Sequence, residues 1–160
     1  MKISILPAYG HHQEISTLFS EYTQTLIEGN HLFADYLSLQ NFNEELNHLD
    51  VKYGLPWGRL YLAICDGQPA GCIGLRKLDE HNCEMKRLYV RPQFRGNHIG
   101  KTLIQQIIHD AKIIGYSYML LDTFPFLKNA IRMYQSHGFY EIDRYNENPI
   151  KGCIYMKLNL

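Results

Sequence analysis

The sequence predicts one mixed α/β domain over residues 1–160, with a largely antiparallel central sheet of about six to seven strands flanked by about four helices. Asp66-Gly67 between two apolar runs is a strong hairpin signal, so the strands on either side are expected to pair antiparallel. A long amphipathic helix over Ile99–Ile114 separates two strand patterns, which requires a crossover later in the chain. The 160 residues, 46% of them hydrophobic, suffice for a substantial core.

Three elements are predicted before the hairpin: a short strand, an amphipathic helix and a weaker helix. Their ranges are Lys2–Leu6, His12–Glu28 and Leu39–Leu49. Pro7 ends the strand and Gly29 ends the first helix. The loop that follows the weaker helix contains Pro56-Trp57, a segment that we expect to contact a substrate.

Strands and helices alternate over the rest of the chain. The predicted strands are Leu60–Cys65, Ala70–Leu78, Cys83–Val90, Tyr118–Leu121, Phe139–Asp143 and Gly152–Leu158. Besides Ile99–Ile114, a second helix is predicted over Phe126–His137, with Pro125 suited to its first turn. Gly115 and Gly138 are predicted to end these two helices.

The overall charge narrows the class of protein. Sixteen basic residues balance sixteen acidic ones, so the positive excess of proteins that bind nucleic acid or anionic membranes is missing, and neither partner is expected. The cysteines are scattered without metal-binding spacing, so we expect reduced thiols and no metal. The N-terminal apolar run is short and no stretch is long enough to span a bilayer, so we expect a cytoplasmic protein.

The most informative segment runs from Glu84 to Lys101, where a strand leads through a basic turn with two glycines directly into a helix. Such a turn offers unpaired N–H groups and the positive end of the helix dipole, so its natural ligand is a phosphate. Gly96–Thr102 reads G-x-x-x-G-K-T, but a P-loop needs one more residue between its glycines. A dinucleotide site needs a third glycine, and the upstream hairpin does not suit a doubly wound parallel sheet.

Two motifs favour a third ligand, the pyrophosphate of coenzyme A. Gln93–Gly100 resembles the Q/R-x-x-G-x-G/A signature of the GNAT superfamily of acyl-CoA-dependent N-acetyltransferases, with His98 in place of the usual second glycine. Asn129–Phe139 resembles the second signature of that superfamily, N-x-A-x-x-x-Y-x-x-x-G-F, with alanine directly after the asparagine. The resemblance covers residues 60–160 well, and it covers the N-terminal third only through the order of its elements.

This resemblance implies acetyl-CoA as co-substrate. Backbone N–H groups from Arg95 to Lys101 would bind the pyrophosphate, and the third strand would splay at Leu88–Val90 to bind the pantetheine arm and polarise the thioester carbonyl. The cofactor-binding residues that it implies are Leu88, Tyr89, Val90, Arg95, Gly96, Asn97, His98, Ile99, Gly100, Lys101 and Asn129. Asn129 also suits a helix cap.

The resemblance also implies two catalytic residues, Glu84 as general base and Tyr134 as general acid toward the departing thiolate. Strand alternation is expected to place Lys86 and Leu88 on the same face as Glu84. Structural alternatives remain, because a strand glutamate often forms a cross-strand ion pair and a helical tyrosine is often part of the core.

The expected reaction is direct transfer to a primary amine of a small molecule or peptide in a ternary complex, because no histidine within motif distance would activate Cys83 as a nucleophile. Acceptor contacts are expected from the N-terminal helices, Asp122–Phe126 and Asn146–Pro149. A homodimer is compatible with the sequence. The alternative function is a non-catalytic module that binds or senses acetyl-CoA.

Overall fold

The computed structural model describes residues 1–39, 41–148 and 150–160, which form one seven-stranded sheet in the order β1-β2-β3-β4-β5-β7-β6. The strands are β1 (Ile3–Pro7), β2 (Arg59–Cys65), β3 (Gln68–Lys77), β4 (Asn82–Val90), β5 (Tyr118–Thr123), β6 (Tyr140–Ile142) and β7 (Ile154–Asn159). The helices are α1 (His12–Gly29), α2 (Phe33–Leu39), α3 (Phe42–Asn47), α4 (Leu49–Tyr53), α5 (Ile99–Ile114) and α6 (Lys128–Ser136). No helix in these ranges has the length and apolar character needed to cross a bilayer.

The predicted mixed sheet and its hairpin are confirmed. Asp66 and Gly67 both have positive φ, 48° and 81°, which is the conformation that a tight two-residue hairpin turn requires between β2 and β3. Four further strand pairs are antiparallel, whereas β4 and β5 pair parallel through the α5 crossover.

Helices cover both faces of the sheet. The apolar stripe of α5, including Leu103 and Ile107, packs with Tyr134 of α6 in one core cluster. On the opposite face Leu18 and Phe19 of α1 pack with Tyr53 of α4. The sheet is therefore buried between two helical layers, and its functional surface has to lie where strands part or end.

The prediction of one helix over Leu39–Leu49 is wrong. Gln40 lies outside the described residues, and beyond it the chain forms α3 and α4, separated at His48. Asn41 adopts the left-handed conformation with φ of 53°, so the helix that follows begins only at Phe42. The last helix also begins later than expected, at Lys128, because Pro125 lies in a turn before α6 rather than in its first turn.

A fork between β4 and β5 is the feature that positions the site. Their parallel pairing joins Asn82–Glu84 to Tyr118–Leu120 and goes no further, although both strands continue. The remaining N–H and C=O groups on this side of β4, up to Val90, are released from sheet pairing. The strand ends thus separate immediately after Glu84.

A β-bulge interrupts β4 just beyond the fork. Ile73 of β3 faces two residues, Arg87 and Leu88, and Arg87 has a positive φ of 59°. The extra residue reverses the alternation of side chains. The expectation that Leu88 shares a face with Glu84 is therefore wrong, because Leu88 packs with the α5 side of the sheet, as Met85 does.

Candidate active site

A groove of about 650 Å³ runs between the end of β4, the N-terminus of α5 and α6. Its wall includes Leu88, Tyr89, Val90, Arg95, Gly96, His98, Ile99, Gly100, Lys101 and Asn129, so ten of the eleven residues expected to bind the cofactor meet in one place. Asn97, the eleventh, lies outside the wall and donates a side-chain hydrogen bond to the carbonyl oxygen of Phe94, at 3.1 Å.

The N-terminus of α5 opens into this groove, and its first N–H groups have no hydrogen-bonding partner in the part of the chain that the structure describes. It has no side-chain cap and no acidic residue in its first turn. The first helical hydrogen bond runs from the N–H of Thr102 to the carbonyl of His98, so the N–H groups of the preceding turn remain available. An uncapped helix end with positive potential is a binding site for an anion.

Three residues shape the turn and the start of α5. His98 is exposed and adopts the left-handed conformation, with φ of 61° and ψ of 14°, in the position where the GNAT signature usually has glycine. Gly100 is buried, and a Cβ there would lie 3.1 Å from Cε of Met133. Arg95 donates from Nε to the carbonyl oxygen of Val90 at 3.0 Å, which ties the turn to the end of β4.

Asn129 does not cap α6. It is exposed, and the helix has no side-chain cap. Its amide faces the groove from the second position of the helix. The capping alternative for this residue is therefore wrong, and the side chain is available to a ligand.

Tyr134 lies between the groove and a second, smaller cavity. Burial raises the pKa of the Tyr134 hydroxyl well above its usual value, and the nearby Tyr22 and Asp122 raise it further. Together with Tyr22 and Leu88, Tyr134 lines both spaces. Its hydroxyl makes no hydrogen bond to any residue within the described ranges. A protonated hydroxyl thus sits where the two spaces meet.

The smaller cavity, of about 40 Å³, occupies the fork itself. Its walls come from β4, β5, α1, α2, α6 and the loop before β7, with polar contributions from Lys86, Arg87, Asp122, Thr123 and Asn148. The segment Asp122–Phe126 expected to contact an acceptor borders both spaces, since Phe124 lines the small cavity and Phe126 the groove. Trp57 borders neither, and Pro149 lies outside the described residues.

Glu84 is buried at the start of the fork and takes part in an ion pair. Arg76, directly opposite on β3, donates from Nε to Oε1 at 2.7 Å, and Tyr145 donates from its hydroxyl to Oε2 at 2.5 Å. Burial raises the pKa of Glu84, but the charges of Lys86 and Arg76 and the two hydrogen bonds outweigh this effect and lower it. Glu84 is therefore ionised at neutral pH.

A second buried carboxylate was missed by the sequence analysis. Glu45 of α3 accepts hydrogen bonds from Arg87 at 2.9 and 3.1 Å, from Lys52 at 2.6 Å and from the hydroxyl of Tyr53 at 3.1 Å. Burial opposes ionisation, but Arg87 and Lys52 lower the pKa of Glu45 to about 2. This network attaches the N-terminal helices to the bulge of β4.

Within the three described ranges, no group of three His, Cys, Asp or Glu side chains is placed to hold an ion. The cysteines in these ranges are unpaired thiols.

The model of the acetyltransferase (GNAT) family matches residues 17–139 of this chain. An uncharacterized N-acetyltransferase of Dictyostelium discoideum is 33% identical over the whole of both chains. Another, of Schizosaccharomyces pombe, is 40% identical over 130 residues, which is 80% of each chain.

Solved structures share the fold. An acetyltransferase from Streptococcus agalactiae superposes with a TM-score of 0.79 at 19% identity, covering 99% of this chain and 98% of that one. A GNAT acetyltransferase from Elizabethkingia anophelis with acetyl-CoA bound gives a TM-score of 0.66 at 23% identity, covering 99% and 98%. With the groove, the fork and both signature segments in place, the chain belongs to the GNAT family of acetyltransferases and is an acyltransferase.

Proposed function

We propose that this single domain transfers the acetyl group of acetyl-CoA directly to a primary amine of a small molecule or peptide, in a ternary complex. The observation that carries the proposal is that the groove and the small cavity meet at Tyr22, Leu88 and Tyr134. A thioester reaching the fork from the groove would meet an amine in the small cavity at that point.

The groove supplies the groups that acetyl-CoA requires. The N–H groups from Arg95 to Lys101 would bind the pyrophosphate, with added charge from Arg95 and Lys101. Backbone N–H groups of Leu88–Val90 would hold the pantetheine arm and polarise the thioester carbonyl, and Asn129 would bind the arm from α6. The acetyl-CoA bound by the GNAT acetyltransferase of Elizabethkingia anophelis, which shares the fold, supports acetyl-CoA as the co-substrate.

Two residues would move the protons. The amine nitrogen attacks the thioester carbonyl carbon, the new C–N bond forms and the C–S bond breaks. Glu84 is ionised and would accept the amine proton; because it borders neither space and its two oxygens accept hydrogen bonds from Arg76 and Tyr145, the proton would reach it through a bridging water. Tyr134 would donate its proton to the departing sulfur, and its raised pKa keeps it protonated until then.

The state of Cys83 supports direct transfer over an acyl-enzyme. This cysteine is fully buried, its Sγ donates to the carbonyl oxygen of Tyr118 at 3.4 Å, and burial raises its pKa to about 12. A buried thiol with a raised pKa contains almost no thiolate at neutral pH and is a poor nucleophile.

The test is acetyl-CoA consumption, measured as thiol release, over panels of polyamines, amino acids, aminoglycosides and peptides. The proposal expects turnover with at least one class and none with the N-acetylated form of the same compound. Tight coenzyme A binding without turnover on any class would overturn it and favour the module that only binds or senses acetyl-CoA.

A further inference from the structure

One buried cation beside the fork has no hydrogen-bonding partner among the described residues. The side chain of Lys86 is 7% exposed and lines the small cavity. The nearest carboxylate oxygen to its Nζ within the described chain is Oε1 of Glu84 at 3.7 Å, beyond hydrogen-bonding distance. That carboxylate already accepts from Arg76 and Tyr145. An ammonium group has three donors, and a buried one is costly unless they are satisfied.

The other cations nearby already have close partners. Lys52 and Arg87 bind Glu45, and Arg76 binds Glu84. The four cations of this cluster, with Lys86 included, thus face two carboxylates, Glu45 and Glu84. Asp122 on the opposite wall of the cavity brings the total to three negative charges and still leaves one positive charge in excess.

The pKa of Lys52 is consistent with this excess. Burial and then the charge of Lys86 lower the pKa of Lys52 to about 8, although Glu45 lies only 2.6 Å away. A neighbouring anion would relieve this repulsion.

We propose that Lys86 binds a carboxylate of the acceptor, so that the preferred acceptor is an amino acid. This inference rests on the proposed function and names the class of amine that the same site takes. Lys86 and Leu88 both line the small cavity, and Leu88 also borders the groove through which the thioester would arrive. A carboxylate on Lys86 can therefore belong to the same small molecule as the attacking amine.

The size of the cavity favours a small acceptor group. About 40 Å³ accommodates a few atoms, enough for a carboxylate and its neighbouring carbon but not for a sugar ring. A planar carboxylate also suits one ammonium as a charge-assisted hydrogen-bonding partner.

The experiment compares kcat/KM for matched acceptors that differ only in the carboxylate. The probes are the common amino acids, their α-carboxamides and their decarboxylated amines, with phosphoethanolamine as an alternative anion. We expect the wild-type protein to prefer at least one amino acid over its carboxamide by about 10- to 100-fold, the range of a buried charge-assisted hydrogen bond.

Lys86→Met should bring the acid and amide rates within about twofold of each other by raising the KM of the acid. Because the charge of Lys86 also lowers the pKa of Glu84, any loss through the base falls on acid and amide alike; the acid-to-amide ratio is therefore the readout, and the KM of acetyl-CoA should not change. Lys86→Arg should keep a preference for the acid. Lys112→Met, which removes an exposed charge on α5, is the control and should keep the full preference. Urea unfolding and coenzyme A binding establish that each variant is folded.

Several outcomes would overturn the inference. Wild-type turnover without preference for acids, or with preference for phosphoethanolamine, contradicts it whether or not Lys86→Met folds, and leaves the proposed function standing. An equal loss on acids and amides in Lys86→Met would assign Lys86 to the reacting centre instead. No turnover with any amine removes the proposed function and this inference together.

Discussion

Replacing His98 with glycine should stabilise the protein. His98 has φ of 61°, a conformation that costs a residue with a side chain about 1–2 kcal/mol. Glycine avoids this cost, but the greater conformational freedom of the unfolded chain lowers the free energy of unfolding by about 0.4–1 kcal/mol. The net gain should be about 0.5–1 kcal/mol in the free energy of unfolding. With an m-value of about 2 kcal/mol/M, the urea midpoint should rise by about 0.25–0.5 M.

Two further variants separate the backbone effect from the imidazole. His98→Ala removes the ring but keeps a Cβ, so it should not gain stability. His98→Val should be less stable than the wild type, since β-branched residues strongly disfavour positive φ. Because backbone N–H groups are proposed to bind the pyrophosphate, coenzyme A affinity should stay within about twofold in the glycine variant and fall in the valine variant. A glycine variant no more stable than the alanine variant would refute this account of the turn.

Three other predictions concern the buried ionisable groups. Tyr134→Phe should lower kcat about 100-fold or more and leave coenzyme A affinity nearly unchanged by calorimetry, whereas an unchanged kcat would remove its role as an acid. Glu84→Gln should also lower turnover while coenzyme A affinity is retained. Tyr145→Phe should move the acid limb of the pH profile of kcat/KM to higher pH, because losing its hydrogen bond raises the pKa of Glu84. An unshifted limb would count against Glu84 as the base. The pKa of Glu45 is lowered from 4.5 to about 2, so ionised Glu45 contributes stability at pH 5 that is lost as the pH falls toward 2. Urea unfolding should therefore show the stability difference between wild type and Glu45→Gln shrinking by about 3 kcal/mol over that range.

The sequence was most informative where the signal is local. The hairpin turn at Asp66-Gly67 and the glycine turn before α5 need particular backbone angles, and the residues that allow those angles can be read directly. A splay of the strands at Leu88–Val90 was expected only through the family resemblance, and the pairing of β4 with β5 ends earlier than that, directly after Glu84.

Periodicity was misleading in the N-terminal helices. Phe42, Leu46, Leu49 and Tyr53 follow helical spacing across the break at His48 and all pack into the same core cluster. An apolar stripe therefore continues over two short helices and does not reveal where the backbone turns.

The missed polar contacts join distant parts of the chain. Tyr145 lies 61 residues from its partner Glu84, and Glu45 lies 42 residues from Arg87. Nothing in the local pattern pairs such residues, because their contact depends on how the late loop and the N-terminal helices close over the sheet.

The bulge at Arg87 explains how one short strand can serve two spaces. In a regular strand Lys86 and Leu88 would point to the same face. The extra residue instead turns Leu88 toward α5. Lys86 and Arg87 both line the small cavity in the fork, and Arg87 also binds Glu45 of α3. The carbonyl of Arg87 accepts a hydrogen bond from Sγ of Cys72 at 3.3 Å, and its guanidinium is fixed by Glu45, so contacts on both sides hold the positive φ in place. The bulge therefore changes the direction of Leu88, which lines both spaces, while Lys86 before it keeps the face that it shares with Glu84.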